Sequence, residues 1–218
     1  MTIYRIAPHI IFMFILAVFI GRPALSSADA KMNAANIVKG KIGVEIIKQN
    51  KSSLARKSNR ITTQDKLKVY TAPDFESYTY LISSNKKEAT LLSPSSKGHV
   101  KATAGLIKYP GENQFYQFDE NSDVESLTII CSPNELKEVQ ELFNSETVSH
   151  ASWVAVEKGL IEKSKVLVSK DVGKEVQIGG FIQQGFRSAG SFIDKIPVRK
   201  GNFLLIKKYE FHVYNAKK

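Results

Sequence analysis

Lys66-Leu67-Lys68-Val69-Tyr70-Thr71-Ala72-Pro73 and, after a short break, Tyr78-Thr79-Tyr80-Leu81-Ile82-Ser83-Ser84-Asn85-Lys86-Lys87-Glu88-Ala89-Thr90-Leu91-Leu92 decide the fold class. Leu67 and Val69 alternate with Lys66 and Lys68, the period-two signature of a half-buried strand. Ala72-Pro73-Asp74 interrupts it, because proline brings no N–H to a ladder. Tyr78 to Ser83 is dense in aromatic and β-favouring residues, Ser84-Asn85-Lys86-Lys87 is a polar turn, and Ala89 to Leu92 is the returning strand of a hairpin.

The same punctuation continues on both sides. Upstream, Ile42, Val44 and Ile46 alternate with Gly43 and Glu45 in a short strand, and polar Gln49 to Asn59 reads as a loop. Downstream, Pro94 to Gly98 is a loop, Leu106 to Tyr109 is an apolar piece stopped by Pro110-Gly111, and Gln114 to Phe118 is a strand candidate. Acidic Asp119 to Glu125 then leads into Leu127-Thr128-Ile129-Ile130-Cys131, a continuous run that fits a buried strand. Short strands at this spacing predict a mainly β, antiparallel β-sandwich-like domain with one or two accessory helices, an α+β variant. Ser132-Pro133-Asn134-Glu135 reads as a capping box ahead of a helix that places Leu136, Val139 and Phe143 on one face. Ala151 to Lys163 is the second helix, with Trp153, Val156 and Leu160 on its face. Lys165 to Ser169 and Val176 to Ile178 are short strand candidates, Gly179 to Gly190 reads as turns, and Asn202 to Tyr214 is a long final strand.

Residues 1–30 read as a signal peptide: Arg5 is basic, His9 to Ile20 is nearly all apolar, and Ala28-Asp29-Ala30 supplies the small residues of a cleavage site after Ala30. The apolar run is shorter than the roughly 20 residues that span a bilayer, so no transmembrane anchor is expected after cleavage, and the protein is expected to be periplasmic or secreted. The 188 residues left of 218 suit one domain. Residues 31–60 form a basic arm with a short strand, 61–143 the β-rich domain, and 144–218 a helix, a Gly-rich loop and a final strand packed on it.

Formal net charge is +10, and residues 31–60 concentrate the excess, with eight basic side chains against Glu45 alone. Lys39, Lys41, Lys48, Lys51, Arg56, Lys57 and Arg60 are the candidate polyanion-binding set, through salt-sensitive attraction to an anionic envelope polymer or an envelope protein. No aromatic is interleaved with them, which argues against nucleic acid. A solvated extension is the competing reading.

Thr63-Gln64-Asp65-Lys66-Leu67, Tyr78-Thr79-Tyr80-Leu81-Ile82, Ala89-Thr90-Leu91-Leu92-Ser93-Pro94, Ala104-Gly105, Tyr109-Pro110 and Glu125-Ser126-Leu127-Thr128-Ile129-Ile130-Cys131-Ser132 together resemble the domain-of-unknown-function 4384 (DUF4384) family. The likeness covers about residues 58 to 143 and rests on strands and turns, with Lys86-Lys87-Glu88 standing where a glycine turn is usual. In other proteins that module sits beside enzymatic or signalling domains, so the resemblance implies an accessory or binding role and carries over no catalytic residues.

No catalytic, cofactor or metal site is expected. His99, His150 and His212 stand in no ligand spacing with each other or with Cys131. Asp119, Asn121, Asp123 and Glu125 begin like a calcium loop, but Val124 replaces its turn glycine and Ile130 its closing glutamate. Cys131 with His150, and Ser83 with Lys86 or Ser84 with Lys87, are the only nucleophile and base pairs to consider. Gly185 to Gly190 is one residue too long for a nucleophile elbow, and the glycines at 173, 179 and 180 complete no phosphate loop. Tyr70, Tyr78, Tyr80, Tyr109, Phe115, Tyr116 and Phe118 either line a groove or fill the core. The reading is thus an exported, non-enzymatic binding or accessory module of the bacterial cell envelope. Its alternatives are an envelope hydrolase or acyl-transferase, and a structural subunit whose 203 to 214 strand forms an exposed edge.

Overall fold

The computed structural model describes residues 36–93, 101–118, 123–165 and 191–214. The signal-peptide segment, His99, the first half of the calcium-loop candidate, the strand candidate at 176–178, all but the first residue of the one at 165–169, and the Gly-rich stretch lie outside these residues. Among the described residues eleven strands are formed: β1 (Ile37–Lys48), β2 (Lys51–Leu54), β3 (Ser58–Thr62), β4 (Lys66–Pro73), β5 (Tyr78–Ser84), β6 (Glu88–Ser93), β7 (Ile107–Tyr109), β8 (Val124–Ser132), β9 (Thr147–Ser149), β10 (Val198–Asn202) and β11 (Leu205–Tyr214). The same residues also form two α-helices, α1 (Lys137–Leu142) and α2 (His150–Ser164), and a 3₁₀ turn at Phe192–Lys195.

The strands make two sheets, as the mainly β, sandwich-like expectation requires. In the first, the order is β10-β1-β4-β7, with β2 also paired to β1. In the second it is β3-β11-β8-β5-β6-β9, antiparallel throughout except for the parallel pair β3 and β11. Ile42, Val44, Leu67 and Val69 of the first sheet meet Leu81, Ile129, Tyr209 and Phe211 of the second in the inter-sheet core. Tyr80, Ile82 and Ile130 point out of the opposite face of the second sheet and pack on Val139, Phe143, Trp153 and Leu160 of the helical layer. Both faces of β5 and β8 are therefore covered, which is why Leu127 to Cys131 is apolar without alternation.

Several expectations are corrected. Residues 37–60 are not an arm: β1 is a 12-residue strand flanked by β4 on one side and by β10 and β2 on the other, and β2 and β3 replace the expected loop at 49 to 59. Gln114 to Phe118 forms no strand and touches β4 through one bridge, Leu67 to Tyr116. Ser132 caps no helix. It ends β8, its hydroxyl turns onto Asn134, and the helix begins later, with the Leu136 N–H donated to the Tyr80 hydroxyl at 2.9 Å. Asn85 explains the hairpin that lacks glycine, since its side-chain oxygen accepts from the N–H groups of Lys87 and Glu88 at 2.8 and 3.0 Å.

The final strand is two strands. Phe203 takes φ +61°, and a Cβ on Gly201 would lie 2.1 Å from the Leu204 carbonyl oxygen, so the chain turns a corner that passes β10 to the first sheet and β11 to the second. β11 then lies between β3 and β8 rather than at an edge, which overturns the exposed-edge expectation.

Candidate functional site

β3 flanks β11 only from Glu210 onward, and beside the first half of β11 a cleft of about 530 Å³ opens. Four segments wall it: the crossover Leu54 to Lys57 between the sheets, the last turn of α2, Pro197 with Arg199 at the start of β10, and Ile206 to Lys208 of β11. Its floor is apolar, from Leu54, Ala55, Ile161 and Ile206. Its walls carry six cations, Arg56, Lys57, Lys165, Arg199, Lys207 and Lys208.

Carboxylates answer two of the six. Lys165 sits on both oxygens of Glu162 at 2.7 Å, beside the partially negative C-terminus of α2. Lys208 Nζ lies 2.7 Å from Glu157 Oε2, and Glu157, only 4% exposed, also accepts from the Thr128 hydroxyl. Thr128 and Lys208 are directly opposite on β8 and β11, so one helical carboxylate ties the two strands to α2. Arg56, Lys57, Arg199 and Lys207 have no salt bridge among the described residues.

Lys207 is the unusual member. Alternation along β11 turns it, like Leu205 and Tyr209, toward the first sheet. Its amine lies over the Tyr209 ring at 4.3 Å and donates to the Ile42 carbonyl at 3.4 Å, an oxygen that also accepts from the Tyr209 hydroxyl at 3.3 Å. Burial, and then the Arg199 charge, push its pKa down from 10.5 to about 8. The unfolded chain keeps that proton to higher pH, so the unfolded state binds more protons between about pH 8 and 10.5, and this group makes the fold more stable as pH rises through that window. Lys207→Met removes the penalty. It is expected to raise stability at pH 7 by about 1 kcal/mol, a figure reduced for solvent screening of a half-exposed amine, and to flatten the alkaline rise, both read from urea midpoints at pH 7 and 10.

Of the seven residues expected to bind polyanions, Arg56 and Lys57 line this cleft. Lys41 donates to the Ile193 carbonyl at 3.0 Å, Lys48 pairs with Asp65 at 3.0 Å, Arg60 lies over Tyr214, and Lys39 and Lys51 are exposed on strands of the first sheet. Arg199, Lys207 and Lys208 were not in that set. The local signal for them was weak, because cations in strands usually mark a solvated face.

The catalytic pairs do not assemble. Cys131 is fully buried between the sheets, its thiol pushed up to about 12 by burial, while His150 opens α2 on the other side of the second sheet, its backbone N–H bonded to Lys87. Ser83 donates to Glu125 at 3.3 Å, and Lys86 and Lys87 are exposed on the turn. Among the described residues no group of three or more histidine, cysteine or carboxylate side chains is placed to hold a metal, and no helix is long and apolar enough to cross a membrane. Most of the aromatic set fills the core: Tyr70 and Tyr80 are buried, Tyr109, Tyr116 and Phe118 pack on the inter-sheet core, and Tyr78 packs on the helix-side core. Phe115, 39% exposed, carries the amines of Lys66 and Lys68 over its ring and lines a cavity of about 650 Å³ with Lys48 and Asp65, while Phe118 also lines one of about 240 Å³ beside Ser83 and Glu125.

No family model, curated protein or solved structure matches the chain.

Proposed function

We propose that this protein is an exported, non-enzymatic binding module of the bacterial cell envelope and that it holds an anionic partner in the cleft beside β11. The observation that carries the reading is the convergence of Arg56, Lys57, Arg199 and Lys207, unmatched by carboxylates among the described residues, on one cavity. Proteins do not gather like charges without cost, and an anion is the natural counterweight. The leader-like residues 1–30 support export, and the likeness of residues 58 to 143 to the domain-of-unknown-function 4384 family supports an accessory role.

Retention of the purified protein on envelope fractions tests this. Retention is expected to fall steeply between low and physiological salt, and Arg56→Glu with Arg199→Glu is expected to weaken it at least about tenfold, since a reversed charge both removes an attraction and adds a repulsion. Lys39→Glu with Lys51→Glu, outside the cleft, is expected to change it little. Equal losses from both pairs would put diffuse charge in place of the cleft, and no loss from either would end the anion reading.

A further inference from the structure

The cleft is not built as a purely electrostatic surface. Leu54, Ala55, Ile161 and Ile206 give it an apolar lining that it shares with the unmatched cations. Leu54, Ile161 and Ile206 are only half-buried, so this floor keeps apolar area that an occupant can still remove from water. A flexible polyanion would satisfy the cations and leave that area wet. An inorganic ion would do the same. The volume, about 530 Å³, falls in the range of pockets that enclose a small organic molecule rather than a single ion.

Resting on the anion-binding reading, we propose that the cleft takes an amphiphilic phosphate, a molecule whose apolar body lies on the Leu54, Ile161 and Ile206 floor while its phosphate meets Arg56, Lys57, Arg199 and Lys207. Two guanidinium groups offer paired N–H donors that match phosphate oxygens, and two amines add point charge, which suits a dianion better than a single carboxylate. A polyanionic chain would find no polar partner on the apolar part of the lining. The shared chemistry covers the phosphorylated end of a lipid and a free organic phosphate.

The test is a titration of the full-length folded protein, at pH 7 and low salt, with inorganic phosphate and then ethyl, butyl and hexyl phosphate, followed by calorimetry. Affinity is expected to climb about fourfold for each methylene that reaches the floor, the fold-change corresponding to the burial of one CH₂, and to level off when the floor is covered. Alkyl carboxylates of the same lengths are expected to bind at least about tenfold more weakly, losing one charge and one oxygen. Ile161→Gln is expected to flatten the chain-length dependence and leave inorganic phosphate unaffected, whereas Lys207→Met is expected to lower the whole series in parallel. Vesicles containing phosphatidic acid, set against hexyl phosphate, separate the two sources: competition between them assigns a lipid end, and indifference to vesicles assigns a free organic phosphate. A flat series in which phosphate still binds overturns the amphiphile and spares the anion reading. Failure of phosphate and every alkyl phosphate to bind overturns the amphiphile and, together with envelope retention indifferent to the Arg56 and Arg199 substitutions, the reading beneath it.

Discussion

Trp153→Ala is expected to destabilise the fold by about 4 kcal/mol, the upper part of the range for emptying a large aromatic site. Trp153 is fully buried where α2 meets the second sheet, its ring 5.6 Å from that of Phe143, and it belongs to the same cluster as Tyr80, Ile82 and Ile130. α1 has only six residues, too few to be helical on its own, so it depends on this packing for its existence. The loss would consume much of the stability of an ordinary domain. Trp153→Phe is expected to cost far less, about 1–2 kcal/mol, because the indole N–H makes no hydrogen bond and the ring contact survives. Urea unfolding followed by far-UV circular dichroism separates the two, since both variants delete the chain's one tryptophan as a fluorophore. Equal, small losses would show that the helical layer is not anchored through this ring.

Glu157→Ala is expected to move stability and binding in opposite directions. Removing the carboxylate leaves Lys208 without its counter-ion and Thr128 without its acceptor, and breaking a buried pair costs about 3–5 kcal/mol when the orphaned charge is fully enclosed. Lys208 is 35% exposed and opens on the cleft, so water relieves part of that penalty and a loss of about 2–3 kcal/mol is expected. The same substitution adds an unmatched cation to the cleft wall. Phosphate affinity is therefore expected to rise severalfold while the urea midpoint falls. Lys208→Met on top of Glu157→Ala should recover most of the stability and cancel the gain in binding, because no charge then remains to be desolvated. A fall in both quantities for Glu157→Ala would mean that the carboxylate holds the cleft open rather than quenching it.

The sheets were legible in the sequence where local signals agreed. Tyr78 to Leu92 combined β propensity with a polar turn, and it forms the hairpin. Leu127 to Cys131 was read as buried, and the covering of both its faces explains the missing alternation. Signals failed where a partner distant in sequence decided the outcome. Val198-Arg199-Lys200-Gly201-Asn202 has almost no strand character, and it is a strand because β1 offers Ile37 to Lys41 an antiparallel mate. Lys51 to Leu54 is likewise held by Glu45 to Lys48. Ser132 fitted a capping rule that Tyr80, 56 residues before Leu136, satisfied instead.

The cleft was harder to see. Arg56 and Lys57 stood out within a basic stretch, but their companions come from β10, β11 and the end of α2, more than a hundred residues away. One clue lay in the open: Glu157 falls between Trp153 and Leu160 on the buried face of α2, at helical spacing. A lone acid on such a face demands a basic partner in the core, and Lys208 is that partner.

Both ends of the described chain are sewn into each sheet. β1 takes β10 as its neighbour, and β3 pairs in parallel with the last residues of β11, contacts that close loops of roughly 150 residues and carry the entropy penalty that slows folding. β11 is also an interior strand of the second sheet, so until Leu205 to Tyr214 is in place β3 has no partner and β8 exposes an apolar edge. During synthesis, therefore, the first sheet cannot be completed before the residues through Asn202 exist, nor the second before those through Tyr214, and the apolar edge of β8 stays open until then, the condition in which chaperones capture a polypeptide.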